Sequence, residues 1–195
     1  MARLDPEQLV RIGNAAYGAG LTLLMLGRAS EASEWFDRAA ARWRESWEHA
    51  TPTSWGRPIG SIKAALLAGS DQDAAAYASW TLGLAAEGAE SPIGRYAATL
   101  ALLVLDRWAD ARHVASTLRE RDDFPSQVAD ALALISAHDP VGYAEAVEAV
   151  LESFEERDEY LEDVPVADTV LVLQALARKR GIAAELSPSP VLPPL

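Results

Sequence analysis

The chain has 195 residues, half of them apolar, and carries 29 acidic against 17 basic residues for a net charge of -12. That balance excludes the basic stripe needed to displace phosphate counterions, so neither nucleic acid nor an anionic membrane surface is an expected partner. With no cysteine there is no disulfide framework, thiolate metal site or redox switch.

The first helix is announced by Asp5-Pro6-Glu7, an N-cap followed by proline and an acid in the first turn. It should run to about Leu26, where Gly27 breaks the pattern. Ser30 is placed to cap a second helix reaching about Glu48, with Ala32, Phe36, Ala39, Trp43 and Trp47 on one face. A Thr-, Pro- and Gly-containing loop follows at 50–58. The next helix spans about Pro58 to Ala68, and another covers Asp71 to about Glu87 after Gly69.

Ser91-Pro92 opens a helix to Leu105; Asp106 and Arg107 interrupt; a further helix covers Trp108 to about Glu120. Asp123 with Pro125 starts one that ends near Ala137, and Asp139-Pro140 starts one that ends near Arg157. The last helix is expected between an N-cap at Asp163, with Pro165 two places on, and a basic last turn, Arg178-Lys179-Arg180, closed by Gly181. Val166, Val170, Leu173 and Ala177 make one stripe of it while Ala167, Leu171, Val172 and Leu176 fill other sides, so it should be buried on most sides. A β-branched strand at 169–173 is the competing reading; length and the two caps favour the helix.

Recurring starts imply an all-α fold of about nine helices, paired as antiparallel hairpins stacked in series. The repeat has a core at the break inside each hairpin. Gly27 is followed by Ala32, Phe36 and Ala39; Gly69 by Ala74, Ala78 and Thr81; Asp106 by Ala111, Ala115 and Leu118. A small residue thus comes five after each break, where two helices cross closely. This pattern resembles the tetratricopeptide repeat, with Gly20 matching its small position in the first helix, although Ala16 stands at the family's early aromatic position and the break-to-break intervals are unequal. The resemblance implies a short right-handed solenoid over residues 1–186 that binds a protein or peptide on its concave side. Residues 157–195, with Tyr160-Leu161-Glu162-Asp163-Val164-Pro165, Arg180-Gly181, Ser189-Pro190 and Leu192-Pro193, are similar to the end of the immunity protein 49 family. That similarity implies a helical protein that neutralises a toxin. The Pro-rich tail 187–195 cannot be helical and should lie extended on the body through Val191, Leu192 and Leu195.

No residue pattern points to catalysis, a metal or a cofactor. His49, His113 and His138 fall in different hairpins, so no two-histidine zinc motif exists. Gly13, Gly18 and Gly20 lack the preceding strand and Gly-Lys-Ser/Thr of a phosphate loop. The densest charged run, 152–163, includes Glu155, Glu156, Glu159 and Glu162; it reads as a solvated helix end, or as an acidic face for a basic partner. Trp35, off the apolar stripe, and Trp55, in a loop beside Arg57, are candidate exposed aromatic anchors. The expectation is a non-enzymatic protein-interaction module, monomeric or weakly dimeric. The competing class is a small-molecule or metal-binding enzyme using the acidic run or the Trp55/Arg57 loop. The start of the chain has no basic region followed by a long apolar run, from which a cytoplasmic location is expected.

Overall fold

Pro6 can begin a helix because the first-turn amides have no intrahelical acceptor, and Asp5 and Gln8 close a reciprocal capping box around it: Gln8 N donates to Asp5 Oδ1 at 2.9 Å and Asp5 N to Gln8 Oε1 at 3.1 Å. A computed structural model describes residues 5–194, and within them the chain forms nine α-helices and no strand. They are α1 (Pro6–Met25), α2 (Ala29–Trp47), α3 (Gly56–Ala68), α4 (Asp71–Gly83), α5 (Pro92–Val104), α6 (Trp108–Arg119), α7 (Ser126–Ala137), α8 (Pro140–Glu155) and α9 (Asp168–Arg180), with 3-10 turns at Ala86–Gly88 and Leu161–Asp163. Leu195 lies outside the described residues.

The helices of each hairpin are joined by one device. After α1 the amide of Arg28 donates to Leu23 O at 2.9 Å, and the same closure recurs from Ser70 to Ala65, Arg107 to Leu102 and Asp139 to Leu134. This is the Schellman closure, which needs one residue in the left-handed region. Gly27 (φ 70) and Gly69 (φ 74) take that conformation without a Cβ penalty, whereas Asp106 (φ 58) and His138 (φ 57) supply it without glycine. His138 therefore closes a fourth pair of consecutive helices in the same way. The positions five, nine and twelve after it are Tyr143, Val147 and Val150, all fully buried like Ala32, Phe36 and Ala39 after Gly27.

Helices α1 to α8 each pack on their chain neighbours, and α5 also touches both α3 and α7. Helix α9 returns to lie on α3, α7 and α8. It is pinned at both ends. Asp168 at its start pairs with Lys63 of α3 at 2.6 Å, and Lys179 at its end donates to Val104 O and pairs with Asp106 Oδ1 at 3.3 Å. Its Gln174 is buried yet satisfied: Tyr143 Oη donates to its Oε1 at 2.9 Å, and its amide exchanges hydrogen bonds with the backbone of Ala184. These bonds hold the extended segment after Gly181 along the body, where Ile182 and Val191 are buried and Ser187 N donates to Glu148.

Several helix starts differ from expectation. Asp163 does not cap α9; it lies in a 3-10 turn with φ 57, and the helix begins five residues later at Asp168. Residues 164–167 stay outside the helix because the Ala167 amide donates to Val191 O at 2.8 Å, a partner supplied by the distant tail. Asp123 is held by Arg121 at 2.6 Å instead of capping α7, whose N-cap position is Pro125. Ser30 lies inside α2, which has no side-chain cap. No described helix is long and apolar enough to cross a membrane.

Candidate functional site

Of two tryptophans on α2, Trp43 lines a cleft and Trp47 backs its wall. Trp43 is gripped between α1 and α3 at their glycines: a Cβ at Gly13 would come 2.7 Å from its Nε1, and one at Gly60 2.6 Å from its Cε3. Only a residue without a side chain lets both backbones approach the indole this closely. Tyr17 packs against the same ring at 5.3 Å, and the indole Nε1 donates to Asn14 Oδ1 at 3.1 Å. Trp47 packs on Trp55 and Trp80, each at 5.9 Å, and so draws the loop before α3 onto the body.

The resulting open cleft of about 660 Å³ is lined from α1, α2, the 53–55 loop and α3, with Ser91, Ile93, Leu161 and Asp168 completing the lining. Its rim is apolar, Ile93 being 45% and Leu161 44% exposed. Its base holds a polar cluster joining α1, α3 and α9. Asp168 accepts from Tyr17 Oη at 2.9 Å through Oδ2, which also faces Lys63 Nζ at 2.6 Å, while Thr169 Oγ1 lies 3.3 Å from Oδ1 and from Lys63 Nζ. Burial works against ionisation of Asp168, but the Lys63 ammonium and the hydrogen bonds from Lys63, Tyr17 and Thr169 hold its carboxyl below the usual range. Burial, reinforced by the Asp168 charge, pushes the Tyr17 phenol well up. At neutral pH the cluster is therefore a carboxylate, an ammonium and a neutral phenol, each engaged with the others.

Arg57 faces the same cleft from the first turn of α3. Its Nε is buried without a hydrogen-bond partner, and desolvation draws the guanidinium below its ordinary value. Trp55 does not stand out from the surface as expected: at 7% exposure it is part of the wall, because Trp47 covers it. Trp35 is 37% exposed on α2, with the Arg38 guanidinium 4.6 Å over its ring, and lies outside the cleft. Glu155, Glu156, Glu159 and Glu162 are exposed and do not line the cleft either. Glu162 instead sits against α1, where a Cβ at Gly18 would come 2.9 Å from its own Cβ. Among the described residues no group of three or more histidine and carboxylate side chains is arranged to hold a metal ion.

The structure thus brings Trp55 and Arg57 together and leaves Trp35 and the glutamates elsewhere. Lys63, Asp168, Tyr17 and Asn14 carry the cleft's remaining polar chemistry, and the sequence reading passed over them. One signal was present: a single lysine inside an apolar helix and a single aspartate inside the apolar block 166–177 are each costly unless they find an opposite charge. Comparison of the chain with protein-family models, with curated proteins and with solved structures finds no match.

Proposed function

We propose that the protein is a non-enzymatic recognition module of helical-repeat, tetratricopeptide-like type, which holds a segment of a protein partner in the cleft between α1, α3 and the start of α9. The observation that carries this reading is an open cleft walled by Trp43, Trp55 and Ile59 and rimmed by exposed Ile93 and Leu161. Apolar walls with a few fixed polar groups are the general form of a binding site. The ionisable groups at its base satisfy one another, which suits holding a ligand more than activating one. Helix α9 covers α3 and α7, so the face that a stack of hairpins would offer a partner is filled by the chain itself, and the cleft is the part left open.

An immunity-type inhibitor is a specific form of this reading, supported by the resemblance over 157–195 and by a charge of -12 that would speed encounter with a basic toxin. The enzyme alternative rests on the acidic run 152–163, whose four singled-out glutamates stand outside the cleft, or on the Trp55/Arg57 loop, which lines it. A photo-crosslinking amino acid at Ile93 or Leu161, compared with one at Val141 on α8 (72% exposed), tests the proposal in the native host. A defined protein adduct from the two cleft positions and not from Val141 is expected. Equal adducts from all three, or no protein adduct from either cleft position, would refute it.

A further inference from the structure

Although the molecule is strongly acidic as a whole, the residues lining its cleft include two cations, Arg57 and Lys63, and a single anion, Asp168. Lys63 and Asp168 cancel at 2.6 Å. Arg57 is left over. It has no carboxylate partner among the described residues, and its Nε is out of contact with water and with any acceptor. That Nε is closed to a ligand as it is to water, so what the cleft offers an incoming anion is the rest of an unpaired guanidinium on its lining.

The hydrogen-bonding inventory points the same way. Both oxygens of Asp168 are occupied, Oδ2 by Tyr17 and Lys63 and Oδ1 by Thr169. Asn14 gives its carbonyl oxygen to Trp43 Nε1, which leaves its amide nitrogen as the free end. Among the amide and charged side chains of the cleft, those with capacity to spare are therefore donors, while the hydroxyls of Thr53, Ser54 and Ser91 can donate or accept. Helix α3 adds to them, since its N-terminus has neither a side-chain cap nor an acid in the first turn to offset the positive end of its dipole. Six residues of α-helix separate Arg57 from Lys63, about 9 Å at 1.5 Å per residue, and the wall between them is Ile59, Gly60 and the face of Trp43. An anion at Arg57 would thus have an apolar bed beside it.

We infer that the cleft binds a carboxylate carried on an apolar, aromatic-sized body, with the Arg57 guanidinium as its anchor. This rests on the cleft being the binding site and specifies what it takes. The same chemistry can arrive as an acidic side chain of a protein segment flanked by bulky apolar residues, or as a free aromatic acid. A planar carboxylate matches the fork of a guanidinium, and the overall negative charge, which disfavours anions at long range, makes selection a property of the cleft alone.

The test is a titration followed by the indole N–H signals of the tryptophans. Three probes share one ring and differ in charge: indole-3-acetate, indole-3-acetamide and tryptamine. Two capped peptides, acetyl-Leu-Trp-Glu-Leu-amide and its Glu→Gln counterpart, form the second arm. The acetate should bind at least about tenfold more tightly than the acetamide, equivalent to about 1.4 kcal/mol, and tryptamine more weakly still. Arg57→Gln should bring acetate and acetamide within about twofold of each other, while Arg57→Lys should retain part of the preference. Arg57 makes no side-chain hydrogen bond or ion pair with a described residue, so a nearly unchanged unfolding midpoint is expected and will show that the variants are folded. A Glu peptide that outcompetes the free acid supports a protein segment as the source; the reverse supports a small acid. Equal binding of acetate and acetamide to the natural protein, or a preference that survives Arg57→Gln, overturns the inference while leaving the cleft as a binding site. If no probe moves the Trp43 or Trp55 signals, the inference and the proposed function both fall.

Discussion

Replacing Lys63 by methionine removes one charge from the cluster that ties α1, α3 and α9 together and leaves the Asp168 carboxylate behind. The two side chains are 13% and 15% exposed, so the abandoned carboxylate cannot hydrate freely. Breaking a buried pair from one side costs about 3–5 kcal/mol. Here the Tyr17 hydroxyl and Thr169 still reach the carboxylate, which places the expected loss near the lower end, about 3 kcal/mol. For a chain of this size that is a fall in Tm of about 8 °C. The pH dependence identifies the cause. Because the folded carboxyl titrates below its unfolded value, it contributes stability above about pH 4, and that contribution is lost as the pH falls through the folded value. Without Lys63 burial dominates and the carboxyl titrates higher. The gap between natural and variant proteins should therefore narrow below pH 4. Urea unfolding at pH 7 and at pH 3 measures both quantities, and Lys63→Met with Asp168→Asn should recover much of the loss, since the uncompensated charge is gone while the Asn carbonyl can still accept from the buried Tyr17 hydroxyl. A Lys63→Met loss under 1 kcal/mol at pH 7, or an equal loss at pH 3, would refute the reasoning.

Gly60→Ala places a methyl group 2.6 Å from the Trp43 ring; it should destabilise the fold by about 1–3 kcal/mol and displace the indole, seen as a shifted Trp fluorescence spectrum. Trp55→Ala removes a buried indole and should cost about 3 kcal/mol, whereas Trp35→Ala, on the outer face of α2, should stay within about 0.5 kcal/mol; denaturant midpoints compare them directly. Tyr17, Tyr96 and Tyr143 all have phenols pushed up, chiefly by burial. Their folded states hold protons that the unfolded chain releases near pH 10, so stability should fall as the pH rises beyond that point. A Tm that stays flat from pH 9 to pH 11 would contradict the burial of these three phenols.

Local chemistry made most helix ends legible. Asp5-Pro6, Ser91-Pro92 and Asp139-Pro140 cap α1, α5 and α8 as expected, and Gly27, Gly69 and Gly181 close α1, α3 and α9 with positive φ. The likeness of the α7–α8 turn to the three earlier ones escaped because its left-handed residue is His138 and the position five beyond it is Tyr143, which breaks the small-residue pattern while keeping the burial. The start of α9 was misplaced for a different reason. A proline after an acid is a sound local signal, but the Ala167 amide finds its acceptor in Val191, and no local pattern records that. The cleft was half legible. Trp55 and Arg57 stood out as a pair, yet the surface role expected for Trp55 failed because Trp47, itself packed on Trp80, covers it. Asp168 stayed hidden because its partners, Tyr17 and Lys63, come from far earlier in the chain, a pairing that only the return of α9 creates.

The chain contains only two lysines, Lys63 and Lys179, and both are fastened to the same helix from opposite ends. Amine chemistry on this protein is consequently a gauge of whether α9 is seated. An acylating reagent that consumed either ε-amine would abolish the charge that holds its end of the helix, and an ammonium paired to a carboxylate resists acylation until that pair opens. Measured reactivity at the two positions, read by peptide mass, would report separately on the two ends of α9. Lys179, 31% exposed against 13% for Lys63, should react first even with α9 seated, so it is reaction at Lys63 that would report the start of the helix leaving the base of the cleft.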